Sequence, residues 1–362
     1  MAVYCSLDHV ALACCLWYAR SIIKEIMKKY YLIGAAVGLM AISAVFLKQW
    51  VGKEKDAGEK HLVKVRIGWQ VPWATQGQLS EVMQKTEILK NNGMVGDFKG
   101  FSSGAPLNEA ALAGDVDVIF TADQPAATLL SKDPEWKIIG RLMYNRVGLY
   151  VPPKSAINSV ADLKNKTVAM PFGAAAQRMA LRVELEAGLN PQKDVKNINL
   201  GIYEQADLVK DANSTKWGNI DALAGFDPTV ASFEDKGLIR LLNVENVVSV
   251  IVMSNKFIKE NPDAPVKFLK AFKESYAYYK NNRQQADGWF TDGANLSITP
   301  KALEISAAVE PNLVKGNDIT IGFKPDDYRI LQEAADFIFD QGLVKTKVNM
   351  KDYIDLSYLN QL

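Results

Sequence analysis

The chain has 362 residues, which is too long for one ordinary hydrophobic core and short for three domains. Hydrophobic residues make up 48% and charged residues 23%, as is typical of a folded globular protein. The formal net charge is +1, which argues against nucleic acid as a partner. All cysteines (Cys5, Cys14, Cys15) and histidines (His9, His61) precede residue 62. The rest of the chain therefore lacks the usual residues of a zinc site or a Ser-His-Asp triad, and we expect no metal and no cofactor.

The first sixty residues contain an export element. Lys28 and Lys29 precede an uncharged run from Tyr30 to Leu47, which as a helix would be about 27 Å long, close to the thickness of a bilayer core. We predict a transmembrane signal anchor in residues 30–50 rather than a buried core helix, with a cleaved signal peptide as the alternative. Residues 1–29 are then cytoplasmic and residues 51–61 form a polar linker. Because Met27-Lys28-Lys29 resembles a natural start, residues 1–26 are interpreted as an over-long gene model.

From residue 62 the chain alternates strand-like and helix-like segments, which predicts an α/β fold with parallel sheets. Strands are expected at 63–68, 98–101, 116–120, 136–142, 167–170, 201–203, 220–224, 239–242 and 247–253. Helices are expected at 78–90, 106–113, 126–130, 173–187, 206–212, 265–288 and 325–342. The order predicts two lobes joined by crossover segments near 144–150 and 247–253. The first lobe comprises residues 62–147 and 248–362, and the second comprises residues 148–247. Ligands of such sheets bind beyond the carboxyl ends of the strands, near helix N-termini.

Seven short motifs occur in order along residues 62–360. They are Gly68-Trp-Gln70, Ser103-Gly-Ala-Pro-Leu107, Ala113-Gly-Asp-Val-Asp117, Ala122-Asp-Gln-Pro125, Val160-Ala-Asp-Leu163 with Val168-Ala-Met-Pro-Phe-Gly173, Ile220-Asp-Ala-Leu223 with Asp227-Pro228, and Tyr353-Ile-Asp-Leu-Ser-Tyr358. In this order they resemble the nitrate/sulfonate/taurine (SsuA/ThiY-like) substrate-binding proteins of ABC importers. The resemblance implies a type II periplasmic-binding-protein fold whose two lobes close on a small ligand.

Residues in loops after the strands, and at the helix starts that follow them, are expected to bind that ligand. They are Trp69, Gln70, Trp73, Gln76, Ser102, Ser103, Thr121, Gln124, Phe172, Gly173, Ala174, Gln177 and Asp227. Aromatic and amide side chains can stack on a small molecule and bind its polar edges. Alternatives stay open: the tryptophans as lobe core, the serines and Asp123 as helix N-caps, and Asp227 as a turn residue before proline.

The turn at Phe172-Gly-Ala-Ala-Ala176 departs from the sulfonate-binding pattern, which usually has Ser or Thr there. Alanines leave only backbone N–H groups and the helix dipole for an anion. Asp227 favours a ligand that is cationic or donates N–H groups. Arg178 and Arg182 are expected on a solvated helix face, with Arg178 as an alternative ligand contact. Arg141, Asn145 and Arg146, near the first crossover segment, are expected to be hinge or surface residues. The ligand is thus expected to be a sulfonate, an amine or a heterocycle, and a larger heterocyclic or aromatic compound is favoured over nitrate or a small sulfonate.

The predicted function is capture of a small molecule for import, with no catalysis. The partners are the ligand and an ABC permease in the membrane, and the protein is expected to be a monomer in the periplasm or at the cell surface, anchored to the inner membrane by its N-terminal helix. A membrane-anchored sensor domain is one alternative. An enzyme of the same fold is the other, and the lack of cysteine and histidine after residue 61 argues against it.

Overall fold

The computed structural model describes residues 62–362 and, before them, only residues 24, 25, 27 and 28. The predicted membrane anchor at 30–50 and the predicted linker at 51–61 lie outside the described residues. Within the described part of the chain, no helix is both long and apolar enough to span a lipid bilayer.

Eight strands form one mixed sheet in the order β2-β1-β3-β8-β4-β7-β5-β6. The strands are β1 (Val63–Gln70), β2 (Met94–Phe101), β3 (Val118–Ala122), β4 (Trp136–Val151), β5 (Thr167–Met170), β6 (Lys196–Asn199), β7 (Ala222–Phe226) and β8 (Arg240–Ser254). Pairing is parallel within the group β1 to β3 and within the group β5 to β7, and antiparallel wherever β4 or β8 takes part.

Twelve α-helices follow or cover these strands in the region 62–362. They are α1 (Gln76–Lys85), α2 (Ile88–Asn91), α3 (Gly104–Leu112), α4 (Asp123–Lys132), α5 (Ala175–Glu186), α6 (Ile202–Leu208), α7 (Thr229–Asp235), α8 (Asn255–Glu260), α9 (Ala264–Asn281), α10 (Arg283–Ala294), α11 (Pro300–Ala308) and α12 (Pro325–Asp340). Short 3₁₀ turns lie at Val160–Leu163, Pro311–Leu313, Met350–Tyr353 and Leu359–Gln361.

Two long strands connect the two parallel groups. β4 has 16 residues and β8 has 15, and they pair along their whole length, from Trp136↔Ser254 to Val151↔Arg240. The β1–β3 group joins this ribbon through β8, whereas the β5–β7 group joins it through β4. Both predicted crossover segments fall within these two strands. The exact lobe boundaries stay a prediction, and below the first lobe is 62–147 with 248–362 and the second is 148–247.

The two faces of the β1–β3 group carry different cores. Val65, Ile67 and Trp69 of β1 belong to the larger hydrophobic core, which also contains residues of α1 and α9. The other face lies under α3 and α4, with Leu107 and Ile119 in a second core. A Cβ on Gly68 would come within 2.5 Å of Leu107, so α3 packs directly against the strand at this point. Gln70 lies two residues further along this second face, at the carboxyl end of the strand.

Two predictions of local structure were wrong. No strand forms at 201–203, where α6 begins; the strand of this region is β6, with the sequence Lys-Asn-Ile-Asn. β6 is the edge of the sheet and is only partly buried, so it lacks the apolar pattern by which a strand is recognised. The helix expected at 265–288 is two helices, because Asn282 leaves the helical conformation between α9 and α10.

Candidate ligand-binding site

The carboxyl ends of β1 and β3 bring Gln70 and Thr121 together. The parallel register pairs Gly68 with Ile119, so Gln70 and Thr121 lie opposite each other two residues further on. Gln70 Nε2 lies 3.5 Å from the carbonyl oxygen of Phe120. Both side chains are fully buried. Two residues predicted separately from the sequence are therefore neighbours at one end of the sheet, as the fold requires.

The loop after β1 and the first residue of α1 bring Trp73 and Gln76 close to this pair. The backbone N–H of Gln70 donates to Gln76 Oε1 at 2.6 Å, which fixes the Gln76 amide with its Nε2 facing away from that bond. Trp73 lies against Phe226 at the end of β7, with ring centroids 4.5 Å apart and planes tilted by 37°. Because Phe226 belongs to the second lobe, Trp73 bridges the two parallel groups of strands. The ring of Trp73 thus packs against Phe226 and also lies close to the polar side chains of Gln70 and Gln76.

Thr75 ends this loop in an unusual backbone conformation. Its φ is 64°, in the left-handed region that a β-branched residue rarely adopts. Its backbone N–H donates to Gln78 Oε1 at 2.6 Å, and this bond holds the turn into α1. Strained backbone of this kind concentrates at binding and active sites. The strain therefore supports a functional role for the loop from residue 71 to residue 75.

Asn145 of β4 completes the group, and the sequence analysis did not select it. Its Nδ2 lies 3.4 Å from the carbonyl oxygen of Ala74, so the amide reaches the same loop from the crossover strand. The signal was present in the sequence, since an amide in a strand that is otherwise buried needs a polar partner. Proximity to the predicted crossover led to its interpretation as a hinge or surface residue. It is 1% exposed.

This cluster of buried side chains has six polar atoms without a hydrogen-bond partner among the described residues. They are Gln70 Oε1, Trp73 Nε1, Thr75 Oγ1, Gln76 Nε2, Thr121 Oγ1 and Asn145 Oδ1. Folded proteins pair nearly all buried polar atoms, and an unpaired one costs about 1–3 kcal/mol. Six in one place, with donors and acceptors both represented, are the arrangement of a site that binds a polar molecule. We call these six residues the polar cluster.

Gln124 and Gln177, from opposite lobes, contact each other. Gln124 Nε2 lies 3.3 Å from Gln177 Oε1, which also accepts from the backbone N–H of Gly173 at 2.8 Å. Gln124 Oε1 in turn accepts from the backbone N–H of Arg178 at 3.0 Å. Their amide groups are thus used in protein contacts. Ala174, on the same turn, is buried beside them.

Asp227 forms an ion pair within the protein. Arg146 Nε donates to Asp227 Oδ2 at 2.8 Å, and the N–H of Ala231 donates to Oδ1 at 3.0 Å. Burial raises the pKa of Asp227 to about 6, and Arg146 limits the shift. The carbonyl oxygen of Asp227 accepts weakly, at 3.4 Å, from the N–H of Ala74. Asp227 therefore supports the loop that carries Trp73, and its carboxylate is already neutralised by Arg146.

The remaining predicted residues lie at the margins. Ser102 and Phe172 are exposed, and Ser103 is half-buried without a hydrogen bond that caps α3. Trp69 packs in the larger hydrophobic core, the alternative that its sequence context left open. Arg178 is 3% exposed, so its expected place on a solvated helix face was wrong; it points towards α4 instead. A groove of about 760 Å³ between α10 and α11 contains none of the predicted site residues.

The described residues contain no group of three or more His, Cys, Asp or Glu side chains that could hold a metal ion. Charged residues near the polar cluster occur in pairs: Asp227 with Arg146, and Asp123 with Arg178 at 2.8 Å. The cluster itself therefore offers neutral donors and acceptors.

Comparison with known proteins agrees with this architecture. A Bacillus subtilis protein named for binding aliphatic sulfonates is 24% identical over 332 residues, which cover 89% of this chain and 95% of that protein. The taurine-binding periplasmic protein of Escherichia coli is 25% identical over 311 residues, covering 81% of this chain and 91% of that protein.

Solved structures of binding proteins share the fold. The alkanesulfonate-binding protein SsuA of Xanthomonas axonopodis pv. citri, bound to MOPS, superposes with a TM-score of 0.66 at 20% identity and covers 81% of this chain and 98% of its own. The periplasmic nitrate-binding protein NrtA of Synechocystis gives 0.63 at 13% identity, over 83% of this chain and 88% of its own. The chain thus has the α/β fold of periplasmic binding proteins, with a mixed sheet. The family model described as NMT1/THI5 like matches residues 88–286, more than half of the sequence, and the chain belongs to this NMT1/THI5-like family.

Proposed function

We propose that this chain is the solute-binding protein of an ABC importer, which captures a small organic molecule between its two lobes and delivers it to a permease. The relatives named for binding sulfonates and taurine match over most of their own length, which supports this role. The observation that carries the proposal is the polar cluster, where unpaired donors and acceptors from the carboxyl ends of the parallel strands β1 and β3, the loop after β1 and the middle of β4 come together. The periplasmic location of the E. coli relative supports the same location here.

The chemistry of the cluster suggests a ligand without net charge. Trp73 Nε1 and Gln76 Nε2 are open donors, whereas Gln70 Oε1 and Asn145 Oδ1 are open acceptors. An isolated buried charge is costly unless an opposite charge or several donors compensate it. The nearby Asp227 and Asp123 carboxylates are already paired with Arg146 and Arg178, so among the described residues neither ion pair offers an uncompensated charge to a simple anion or cation. A zwitterion such as taurine, or an uncharged heterocycle with N–H groups and ring nitrogens, would use both kinds of partner.

A thermal-shift panel on the full chain tests this proposal. Taurine, ethanesulfonate, nitrate, putrescine and 4-aminopyrimidine cover net-neutral, anionic and cationic ligands. A compound at about 1,000 times its dissociation constant should stabilise the protein by about 4 kcal/mol, which moves the melting temperature by several degrees. We expect the shift from taurine or 4-aminopyrimidine. A shift from nitrate or putrescine alone would contradict the proposed ligand class.

The variant Thr121→Val locates the site. Valine keeps the shape of threonine and removes its buried, unpaired hydroxyl, so it should lessen the ligand-induced shift while leaving the ligand-free protein folded. Thr291→Val is the matched control, because Thr291 lies on α10 and its hydroxyl donates to Gly288. Equal effects of the two substitutions on ligand binding would place the site elsewhere.

A further inference from the structure

The starts of α3, α4 and α5 meet where the two lobes touch. A Cβ on Gly104 would lie 2.5 Å from Pro125 Cβ and 3.7 Å from the carbonyl oxygen of Gly173. A Cβ on Gly173, whose φ is +76°, would lie 3.1 Å from Ala105 Cβ. Only residues without side chains allow such an approach. The first turn of α5 in the second lobe therefore lies directly on the loops of the first lobe.

Two backbone N–H groups near the start of α5 are bound by glutamine side chains. Gly173 donates to Gln177 Oε1, and Arg178 donates across the lobe boundary to Gln124 Oε1. Ala174, Ala175 and Ala176 add no polar side chains to this turn. The Arg178 donor thus holds the first lobe, whereas the Gly173 donor is bound within the second lobe.

A buried ion pair lies next to this contact. Arg178 Nη2 donates to Asp123 Oδ2 at 2.8 Å, and the two side chains are 4% and 0% exposed. Arg178 has a second ion-pair partner, because its Nη2 also lies 3.1 Å from Glu245 Oε1 of β8. Asp123, in contrast, has Arg178 as its one ion-pair partner among the described residues. The cost of desolvating two buried charges offsets most of the attraction between them. Removing one partner, however, leaves the other charge buried without compensation, which is strongly unfavourable. The pair therefore penalises any closed arrangement in which it is not formed.

We infer that Asp123 and Arg178, together with Gln124, form a latch that selects the closed arrangement of the two lobes. When the lobes separate, water hydrates both charges. When they close, the ion pair and the two Gln124 hydrogen bonds form only at one relative position, so the latch sets the register in which the polar cluster is assembled. Asp123, Gln124 and Arg178 act as positioning residues and need not touch the ligand.

Hydrogen exchange on the ligand-free full chain tests the latch separately from the proposed function, because it needs no ligand. In Arg178→Met, Asp123 has lost its ionic partner and closure becomes unfavourable. Amide exchange in residues 172–178 should then be about tenfold faster or more, and small-angle X-ray scattering should show a larger radius of gyration.

Arg182→Met is the matched control. It makes the same change one turn later on α5, where the side chain is 33% exposed and pairs with Glu186 and Glu245. Exchange in residues 172–178 should stay within about twofold of the wild type, as for other surface substitutions.

The double variant Asp123→Asn with Arg178→Met removes the unpaired buried charge, so its amide exchange should be nearly as slow as in the wild type. If Arg178→Met acted only through a loss of packing, the second substitution would not slow the exchange. If Arg178→Met does not fold, Asp123→Asn alone replaces it in the comparison, with faster exchange in the same residues expected. Unchanged exchange in the folded latch variant, or an equal increase in Arg182→Met, overturns the inference. The inference is also overturned if amide exchange in the double variant is as fast as in Arg178→Met.

Discussion

Replacing Glu184 by glutamine should remove most of a pH dependence of stability that lies between about pH 4.5 and 7. Glu184 of α5 is fully buried, and its one hydrogen-bond partner among the described side chains is Asn197, whose Nδ2 lies 2.9 Å from Oε2. Glu184 Oε1 and Asn197 Oδ1 both lack partners among the described residues. A protonated carboxyl group would be a hydrogen-bond donor, which a carboxylate is not. Burial raises the pKa of Glu184 from 4.5 to about 7, and Asn197 limits the shift.

The sign and size of the effect follow from this pKa. Because the folded protein binds the Glu184 proton more tightly than the unfolded chain, its contribution is fully present below pH 4.5 and is lost as the pH rises through 7. A shift from 4.5 to about 7 corresponds to a loss of about 3 kcal/mol, at ~1.4 kcal/mol per pKa unit. Glutamine mimics the neutral acid, and its amide can donate to Asn197 Oδ1 at every pH.

Urea denaturation at pH 5, 6, 7 and 8 measures this difference. The free energies of unfolding of wild type and Glu184→Gln should be similar at pH 5, and the variant should be more stable by about 2–3 kcal/mol at pH 8. Glu186→Gln is the control: it lies two residues further on, is exposed and pairs with Arg182, so it should follow the wild type closely. Parallel curves for wild type and Glu184→Gln would refute this account of the buried carboxyl group.

Two further predictions concern stability. Arg141→Met leaves Glu310, which it binds at 2.7 Å, buried without a counter-charge, and should lower the free energy of unfolding by about 3–5 kcal/mol in urea titrations; a loss below 1 kcal/mol would show that the pair is dispensable. Gly77→Ala places a methyl group against the ring of Phe290 and should lower the free energy of unfolding by about 1–3 kcal/mol. Gly288→Ala, which has open space around it in α10, should raise the free energy of unfolding by up to ~1 kcal/mol. Calorimetry that finds Gly77→Ala more stable than Gly288→Ala would contradict this packing.

The sequence predicted the strands whose pattern is set by burial on both faces. β5 was predicted at 167–170, where it lies, because Val168, Ala169 and Met170 are all buried. β6 was missed because an edge strand of polar residues carries no such pattern. β4 and β8 were each predicted as two separate pieces, although both strands are continuous in the sheet; in β8 the polar residues Asn243, Glu245 and Asn246 lie between the two predicted pieces.

The site was predicted in part for a similar reason. Strand ends and helix starts can be located in a sequence, and the structure places Gln70, Thr121 and Gln124 at such positions near the lobe boundary; their role in ligand binding stays a prediction. Whether a polar atom is paired depends on contacts between distant segments. Thus the ion pair between Asp123 and Arg178, 55 residues apart, could not be read from either residue alone. Neither could the pairing of Asp227 with Arg146.

Calorimetric titration of the full chain with taurine, ethanesulfonate and 4-aminopyrimidine tests the central claim most directly. Taurine and ethanesulfonate differ chiefly in the ammonium group, so their comparison isolates the effect of net charge. A binding protein with a neutral polar cluster should bind taurine or 4-aminopyrimidine with one site per chain, at least about tenfold more tightly than ethanesulfonate, and Thr121→Val should weaken that binding by about tenfold. Ethanesulfonate that binds as tightly as the net-neutral compounds, or binding that Thr121→Val leaves unchanged, would contradict it.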